Sequence, residues 1–364
     1  MKKITILVDQ LHSHGGIEKL VVIKANYWAD VFGYQVTILA TEQSDKPIIY
    51  QLSDKVKFID LKINYHRNIS YFSFKNLKKL FLNIKLVTSI VKKNKSDVVI
   101  VASHIPITYI LPFLPIKAKT VKEFHFSKSI MSNTFSKKIL EFIESKYNAL
   151  IVLSDEERNF YRSKNVLVIP NPLLEIKNVE PANIHEKEDV AIFAGRLAPV
   201  KNLELLIEIW QRINREKPNW KLRIYGDTSG EYYEKIKKLV DDKILGDSVF
   251  FMGETSNLNC EFNKAKVFLM TSLNECFPMV ILESFGMGVP VIANDCPTGP
   301  RNIITNEVNG FLVKYNDIDD FVKTFNKFDD SIDLQKRMSE QAIETSQVYR
   351  VDKIMNMWNE KVFK

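Results

Sequence analysis

The chain has 364 residues, a length typical of about two domains. Its 45% hydrophobic and 26% charged residues exclude disordered, collagen-like and mucin-like proteins. Its three cysteines are a small and odd number, which argues against a disulfide framework. The net charge of +7 is divided unevenly: residues 1–170 hold 26 Lys and Arg against 14 Asp and Glu, while residues 171–364 hold 25 against 30. A nucleic acid, an anionic membrane and a phosphorylated ligand all stay open as partners of the basic half.

The first 170 residues alternate between short apolar runs and segments of helical periodicity. Buried parallel strands are predicted at 4–8, 35–40, 98–102, 120–124 and 150–153, and a helix is predicted from Ile17 until Gly33. This alternation predicts a doubly wound α/β domain. Because no apolar run suits a signal peptide or a membrane span, we expect a cytosolic protein or one on the cytosolic face of a membrane.

A proline-containing segment at 169–176 is predicted to be a linker, since its prolines disfavour a helix. A second alternating series follows. Strands are predicted at 190–194, 220–225, 267–270 and 289–293, and helices at 203–213 and 279–287. The predicted fold class is therefore α/β, with two Rossmann-like domains.

The densest cluster of chemically suggestive residues lies in the segment 271–304. There a strand delivers Glu275 into a loop, Pro278 stands near a helix start, and Glu283 lies in the first turns of that helix. Backbone N–H groups at a helix start bind anions or sugar hydroxyls, and the two carboxylates accept hydrogen bonds from a polyol. A solvated Glu275 and a Glu283 that complements the helix dipole explain the same pattern, so both interpretations stay open.

This E-x7-E element, with Phe-Pro-Met-Val inside it and Gly-Val-Pro-Val-Ile-Ala after it, resembles retaining glycosyltransferases of family four. The resemblance runs over most of the chain. It implies the GT-B fold, in which two Rossmann-like domains face a central cleft. It places an acceptor-binding domain at 1–170, on which a helix of about 347–364 packs, and a nucleotide-sugar-binding domain at 171–346. Glu275 would face the donor sugar and catalyse, Glu283 would bind the ribose, and donor-binding backbone would come from Phe277, Pro278, Met279 and Val280.

A second motif, Gly-Arg-Leu-Ala-Pro-Val-Lys-Asn, spans 195–202. It places Arg196 and Lys201 between a strand and a helix start, where two cations suit a diphosphate, although solvated surface charges would look the same. The motif resembles the family's G-R-L-x-P-x-K-N. That resemblance implies that Gly195 lies at the donor, and that Arg196 and Lys201 neutralise its pyrophosphate and take part in catalysis.

Weaker signals complete the expected site. The Gly15–Gly16 pair is explained by a plain tight turn, but the resemblance implies that Gly16 lets the backbone approach the diphosphate or the acceptor. His125 follows a predicted strand, and the resemblance implies a catalytic contact with the donor sugar. Gly253 stands in a segment that resembles the family's nucleobase-binding F-x-G. Cys276 replaces the family's glycine after Glu275; it is a conceivable nucleophile, but replacement of a small residue explains it better.

The surplus of positive charge is concentrated in residues 75–95, which hold seven lysines and no acidic residue. Apolar residues recur there at helical spacing, at Leu77, Leu80, Phe81, Ile84, Val87, Ile90 and Val91. The pattern predicts an amphipathic basic helix. It either packs on the first domain as an ordinary surface helix or attracts anionic lipid headgroups and a lipid-diphosphate acceptor. Nucleic acid is disfavoured, because no binding module is recognised.

The resemblance implies a retaining glycosyltransferase that moves a hexose or N-acetylhexosamine from a nucleotide sugar, with UDP as the expected nucleotide. A lipid-linked or surface-glycan acceptor in bacterial polysaccharide, capsule or lipopolysaccharide biosynthesis is expected, at the inner face of the plasma membrane. No cofactor is expected, and no metal, because no ligand cluster has metal-binding spacing. A non-catalytic nucleotide-sugar-binding or membrane scaffold protein, an inverting transferase and a nucleotide-sugar epimerase stay as alternatives.

Overall fold

The computed structural model describes residues 1–13, 15–70, 73–128, 135–174 and 181–364. These residues form two compact units. Unit 1 contains Met1–Pro172 together with Asp352–Lys364, and unit 2 contains Leu173–Val351. Part of the predicted linker, from residue 175 onward, lies outside the described residues.

Unit 1 is built on a sheet of seven parallel strands in the order β3-β2-β1-β4-β5-β6-β7. The strands are β1 Lys3–Val8, β2 Gln35–Ala40, β3 Lys57–Asp60, β4 Val98–Val101, β5 Lys119–Glu123, β6 Ala149–Val152 and β7 Val166–Val168. Its helices are α1 Gly16–Asp30, α2 Phe74–Asn94, α3 Phe135–Glu144 and α4 Asp155–Arg158, with 3-10 turns at Pro106–Tyr109 and Leu111–Phe113.

The chain returns to unit 1 at its C-terminal end, through a helix at Val351–Trp358 and a π-helical segment at Asn359–Phe363. Trp28 of α1 is fully buried, and its ring lies edge-on to the rings of Trp358 and Phe363 at centroid distances of 5.4 and 5.2 Å. Aromatic rings in this arrangement gain energy beyond the area they bury. The last residues are therefore part of the core of unit 1.

Unit 2 repeats the architecture with six parallel strands in the order β10-β9-β8-β11-β12-β13. The strands are β8 Glu188–Ala194, β9 Lys221–Tyr225, β10 Val249–Gly253, β11 Ala265–Met270, β12 Val291–Asn294 and β13 Gly310–Val313. The helices are α5 Leu203–Glu216, α6 Glu231–Asp242, α7 Leu258–Lys264, α8 Met279–Gly286, α9 Ile318–Asp329 and α10 Ile332–Ser346. The predicted fold class, two Rossmann-like α/β domains, is confirmed.

The predicted basic helix is confirmed as α2, but its apolar side was assigned in part wrongly. Phe81 is 72% exposed, whereas Asn76 and Asn83 are fully buried beside the apolar core residues of the helix. Asn83 is buried because its side-chain amide donates a hydrogen bond to the hydroxyl of Tyr65 at 3.0 Å. Among the described residues, no helix is long and apolar enough to cross a membrane.

Candidate active site

Two neighbouring strands of unit 2 position the central pair of the predicted site. Lys201 follows β8 and Glu275 follows β11, and these strands are hydrogen-bonded to each other. The hydroxyl of Thr271, directly after β11, donates to the backbone carbonyls of Lys201 and Asn202 at 3.1 and 3.0 Å. The two loops are therefore tied together at the carboxyl edge of the sheet, where parallel α/β sheets place their ligands.

Lys201 and Glu275 form an ion pair, with Nζ 2.5 Å from Oε1. Their side chains are 19% and 14% exposed, so the charges interact more strongly than surface charges would while still being reachable by a ligand. Arg196 lies in the same loop as Lys201 and is exposed. The sequence predicted these three residues as site residues, but it did not predict that the lysine and the glutamate contact each other.

The loop that carries Glu275 is fixed from the other side by the segment after β12. Thr298 donates its hydroxyl to the carbonyl of Glu275 at 2.6 Å, and the two residues form an isolated parallel bridge. A Cβ on Gly299 would lie 2.3 Å from the Cβ of Glu275, so only glycine fits there. The position of the carboxylate is thus set by backbone contacts.

Three glycines end three adjacent strands of unit 2. Gly195 follows β8, Gly226 follows β9, and Gly253 ends β10. Gly195 donates its N–H to Tyr225 and Gly226 donates to Gly253, at 3.1 and 3.0 Å. A Cβ on Gly226 would lie 2.3 Å from the carbonyl oxygen of Gly195, which makes the close approach of these strand ends dependent on glycine. The predicted donor residues Gly195 and Gly253 therefore lie at one sheet edge.

The predicted donor loop leads into α8, which begins at Met279. The side chains of Phe277 and Pro278 are buried, and the Phe277 ring packs on Tyr349 at a centroid distance of 5.7 Å. Only the backbone of these two residues is therefore placed to meet a ligand. Met279 and Val280 are half-buried in the first turn, and Glu283 is half-buried in the second turn of the helix.

The cysteines near this site are unsuited to nucleophilic chemistry. Cys296 is fully buried, and burial, together with the negative charge of Glu275, raises the pKa of its thiol to about 12. Cys276 is also buried. Within the described parts of the chain, no group of three or more His, Cys, Asp or Glu residues is arranged to hold a metal ion.

In unit 1 the predicted glycine turn leads directly into α1, whose first residue is Gly16. A Cβ on Gly16 would meet nothing within 4 Å, so local packing does not explain a glycine there. Glu18 folds back to within contact of Gly15 and accepts a hydrogen bond from Gln10, and burial raises its pKa. His14, which begins this motif, lies outside the described residues.

His125 belongs to a buried charged group. Its side chain is 6% exposed, and Nε2 lies 3.2 Å from Oε2 of Glu123, which also forms an ion pair with Lys24 of α1. Burial works to raise the pKa of Glu123, but the positive charge of Lys24 and the proximity of His125 lower it overall, to about 2. Both ring nitrogens of His125 are buried, and neither makes a hydrogen bond within the described ranges.

A second polar group at the carboxyl edge of the unit 1 sheet was missed from the sequence. Arg67 donates to Asp9 at 2.9 Å and to Glu42 at 2.6 Å, and Ser103 donates to Asp9 at 2.8 Å. One signal in the sequence could have identified this group: a polar residue follows each of four strands that end at the same sheet edge. The residues are Asp9 after β1, Glu42 after β2, Ser103 after β4 and His125 after β5. Oε1 of Glu42 is buried without a hydrogen-bond partner among the residues described.

The two parallel α/β units have the GT-B fold, and the Lys–Glu pair and the Arg-bearing loop lie at one edge of the unit 2 sheet. A TarM mutant of S. aureus, crystallised with fondaparinux, alpha-GlcNAc-glycerol and UDP, has the same fold: the TM-score is 0.79 at 17% identity over 99% of both chains. Residues 175–345 match the model of the family "Glycosyl transferases group 1". The chain is a glycosyltransferase, and this segment belongs to that family.

Relatives match along nearly the whole chain. An uncharacterized glycosyltransferase of Haemophilus influenzae is 26% identical over 98% of this chain and 99% of its own length. The amylovoran biosynthesis glycosyltransferase AmsD of Erwinia amylovora is 26% identical over 99% of both chains. The GalNAc-alpha-(1->4)-GalNAc-alpha-(1->3)-diNAcBac-PP-undecaprenol alpha-1,4-N-acetyl-D-galactosaminyltransferase of Campylobacter jejuni is 27% identical over 87% of this chain and 86% of its own.

Proposed function

We propose that the chain transfers a hexose or N-acetylhexosamine, with retention of configuration and without a metal, from a UDP-sugar to a lipid-linked or surface-glycan acceptor. The observation that carries the proposal is the Lys201–Glu275 ion pair at the carboxyl edge of the unit 2 sheet. The pair keeps a cation and a hydrogen-bond acceptor side by side, as a sugar diphosphate requires.

The donor's two parts would engage the two members of this pair. Lys201 and the exposed Arg196 bind the diphosphate, so that Glu275 is released to accept hydrogen bonds from sugar hydroxyls. Backbone N–H groups around the start of α8 hold further oxygens, and Glu283 takes the ribose hydroxyls. Gly195 and Gly253 let the nucleotide approach the strand ends, and Gly16 does the same on unit 1.

Catalysis would rest on stabilisation of the leaving diphosphate. The bond between the sugar's anomeric carbon and the phosphate oxygen breaks, and the acceptor oxygen bonds to that carbon from the same face. The acceptor proton passes to a phosphate oxygen of the leaving group. Lys201 and Arg196 neutralise the charge that develops there, which is the work a metal ion does in other transferases. His125, whose two ring nitrogens make no hydrogen bond within the described residues, would contact the donor sugar.

The acceptor class is proposed from unit 1 and from the relatives. The Asp9–Arg67–Glu42 group offers carboxylate oxygens and a guanidinium at the sheet edge, a combination that binds sugar hydroxyls. AmsD is named for amylovoran biosynthesis, and the Campylobacter jejuni relative is named for an undecaprenol-linked glycan. Both support polysaccharide or lipopolysaccharide assembly, with the reaction proposed at the inner face of the plasma membrane.

The test is donor use followed by NMR. A thermal-shift screen of nucleotide sugars identifies the donor, and proton NMR then reads the anomeric configuration of the released or transferred sugar. An α-sugar from an α-donor, formed equally in EDTA, supports the proposal. A β-product would identify an inverting transferase. An epimerised nucleotide sugar would identify an epimerase, and binding without turnover would identify a non-catalytic protein.

Variants connect the reaction to the ion pair. Lys201→Met should lower kcat/KM about 10²–10³-fold, the effect of removing one charged group that stabilises a transition state. The matched control is Lys235→Met, which breaks another Lys–Glu pair of unit 2, with Glu204 at 2.8 Å, on the surface of α6. The control should retain transfer, and an equal loss in both variants would contradict the assigned role of Lys201.

A further inference from the structure

One face of the unit 1 sheet is covered by a layer whose outer surface carries exposed aromatic residues among lysines. α2, the turn at Leu111–Phe113 and α3 share one hydrophobic core with strand residues such as Val99 and Leu150. These elements therefore lie side by side on the same face of the sheet. Their solvent sides therefore lie on the same side of unit 1.

The outer side of α2 carries a stripe of alternating aromatic and basic residues. Its members, here called the outer stripe, are Phe74, Lys78, Phe81, Lys85 and Lys92. Their spacing of i, i+4, i+7, i+11 and i+18 places them on one line along a helix that turns about 100° per residue. All five are exposed, and the core-facing residues of the helix lie on the opposite side.

The two phenylalanine side chains of the stripe lie outside the hydrophobic core. Phe74 is 73% exposed and Phe81 is 72% exposed, so neither ring contributes to the core. Lys78 Nζ lies 4.8 Å from the centre of the Phe74 ring, which keeps a charge and an aromatic face together at the surface. Large apolar side chains held in water in this way mark an interaction surface.

A second exposed group lies on the turn at Leu111–Phe113 and on α3. This α3 patch consists of Phe113, Ile139 and Phe142, which are 50%, 48% and 56% exposed. The rings of Phe113 and Phe142 stack at a centroid distance of 6.3 Å, and Lys146 Nζ lies 4.8 Å from the centre of the Phe142 ring. Lysine and aromatic ring are paired here as they are on α2.

The charges of this layer indicate which kind of partner it binds. α2 holds six lysines and no acidic residue, and α3 adds Lys137 and Lys138. Of the two acidic residues of α3, Glu144 is buried in an ion pair with Lys128 and Glu141 is half-buried. Lysines interleaved with aromatic rings suit the headgroup region of an anionic bilayer, where ammonium groups meet phosphates and rings enter the acyl boundary.

We propose that the outer stripe and the α3 patch bind an anionic lipid bilayer. The inference deepens the proposed function, because it gives a lipid-linked acceptor a membrane beside which unit 1 is held. Each lysine near such a surface should strengthen binding about five-fold. Each inserted phenylalanine should add about ten-fold.

The first experiment measures co-sedimentation with vesicles of mixed phosphatidylglycerol and phosphatidylcholine. The variant Lys78→Gln/Lys85→Gln/Lys92→Gln should bind about 100-fold more weakly than the unaltered chain. The matched control Lys237→Gln/Lys238→Gln/Lys336→Gln removes the same charge from exposed lysines of unit 2 and should bind normally. Equal losses in both variants, or no binding of the unaltered chain, would overturn the proposal.

The second experiment places a probe in the stripe. All four tryptophans of the chain, at 28, 210, 220 and 358, are at most 2% exposed, so quenching by a lipid-borne group in Phe81→Trp reports on the new ring. Lipids brominated on their acyl chains should quench it on vesicles that contain phosphatidylglycerol and not on phosphatidylcholine alone. If quenching is absent and the stripe instead mediates self-association in gel filtration, the surface is a protein interface and the proposal is wrong.

Hydrolysis of the nucleotide sugar in the absence of lipid separates this proposal from the proposed function. The stripe variants should hydrolyse the donor at the unaltered rate, because none of the changed residues belongs to the proposed donor site. Normal hydrolysis with lost vesicle binding supports both proposals. Normal vesicle binding without any donor use would overturn the proposed function but would still support the proposal that this surface binds a membrane.

Discussion

The substitution Glu123→Gln tests the buried charged group that holds His125. Glu123 and Lys24 are each 3% exposed at the side chain, so the substitution leaves the ammonium group of Lys24 buried without its counter-charge. Removing one partner of a buried pair costs about 3–5 kcal/mol. The pKa of Glu123 gives a similar magnitude: lowering it from 4.5 to about 2 corresponds to ~3 kcal/mol of stability in the native state.

The pH dependence follows from the direction of that shift. Because the carboxyl has a lower pKa in the folded chain than in the unfolded chain, its contribution is complete above about pH 4.5 and is lost as the pH falls towards 2. Glu123→Gln should therefore weaken unit 1 by ~3 kcal/mol at pH 7 and remove this part of the acid slope. Hydrogen exchange of peptides from α1 and β5, measured across pH, reports the local free energy of unfolding.

A matched control separates stability from the placement of His125. Lys128 and Glu144 form another buried pair in unit 1, with Nζ 2.6 Å from Oε2, and His125 is not a member of that pair. Glu144→Gln should cost a similar free energy, but only Glu123→Gln should also lower the rate of sugar transfer. A loss of stability under about 1 kcal/mol for Glu123→Gln, or an unchanged acid slope, would refute the reasoning.

Two further substitutions test the packing of each unit. Gly226→Ala should destabilise unit 2 by about 1–3 kcal/mol in urea unfolding and weaken UDP binding, because the new Cβ would meet the carbonyl of Gly195. The control Gly246→Ala has open space around the new Cβ and should change the free energy of unfolding by about 0.5 kcal/mol or less. Trp358→Ala should destabilise unit 1 by about 3–5 kcal/mol, seen as faster hydrogen exchange in α1, while the exposed Phe81→Ala should not. Equal effects within either pair would contradict the packing described.

Local sequence signals were sufficient for most of the fold. Apolar runs predicted the central strands of both sheets, and their errors have simple causes: the strand predicted at 289–293 begins only at Val291, since Pro290 has no N–H to donate to a neighbouring strand. The assignment of Phe81 to the apolar side of α2 failed because hydropathy counts asparagine as polar. Asn76 and Asn83 are buried because they hydrogen-bond the chain segment before the helix.

The candidate site was predictable as a set of residues but not as a geometry. Motif resemblance pointed to Lys201 and Glu275 separately, yet their contact depends on β8 and β11 being neighbours, which spacing along the chain does not reveal. The Lys24–Glu123 pair spans 99 residues and was invisible for the same reason. Charge compensation inside a protein is a property of strand order, and strand order is decided by packing across the whole unit.

The return of the chain to unit 1 has a consequence for how the protein is made. Trp28 is synthesised early, but the rings that cover it belong to residues after 351, beyond the whole of unit 2. At ordinary translation rates the ribosome needs on the order of 10–40 s to make unit 2, Leu173–Val351, which separates the two parts of unit 1. During that interval unit 1 presents an uncovered apolar surface, so the nascent chain is a natural client for chaperones that bind such surfaces.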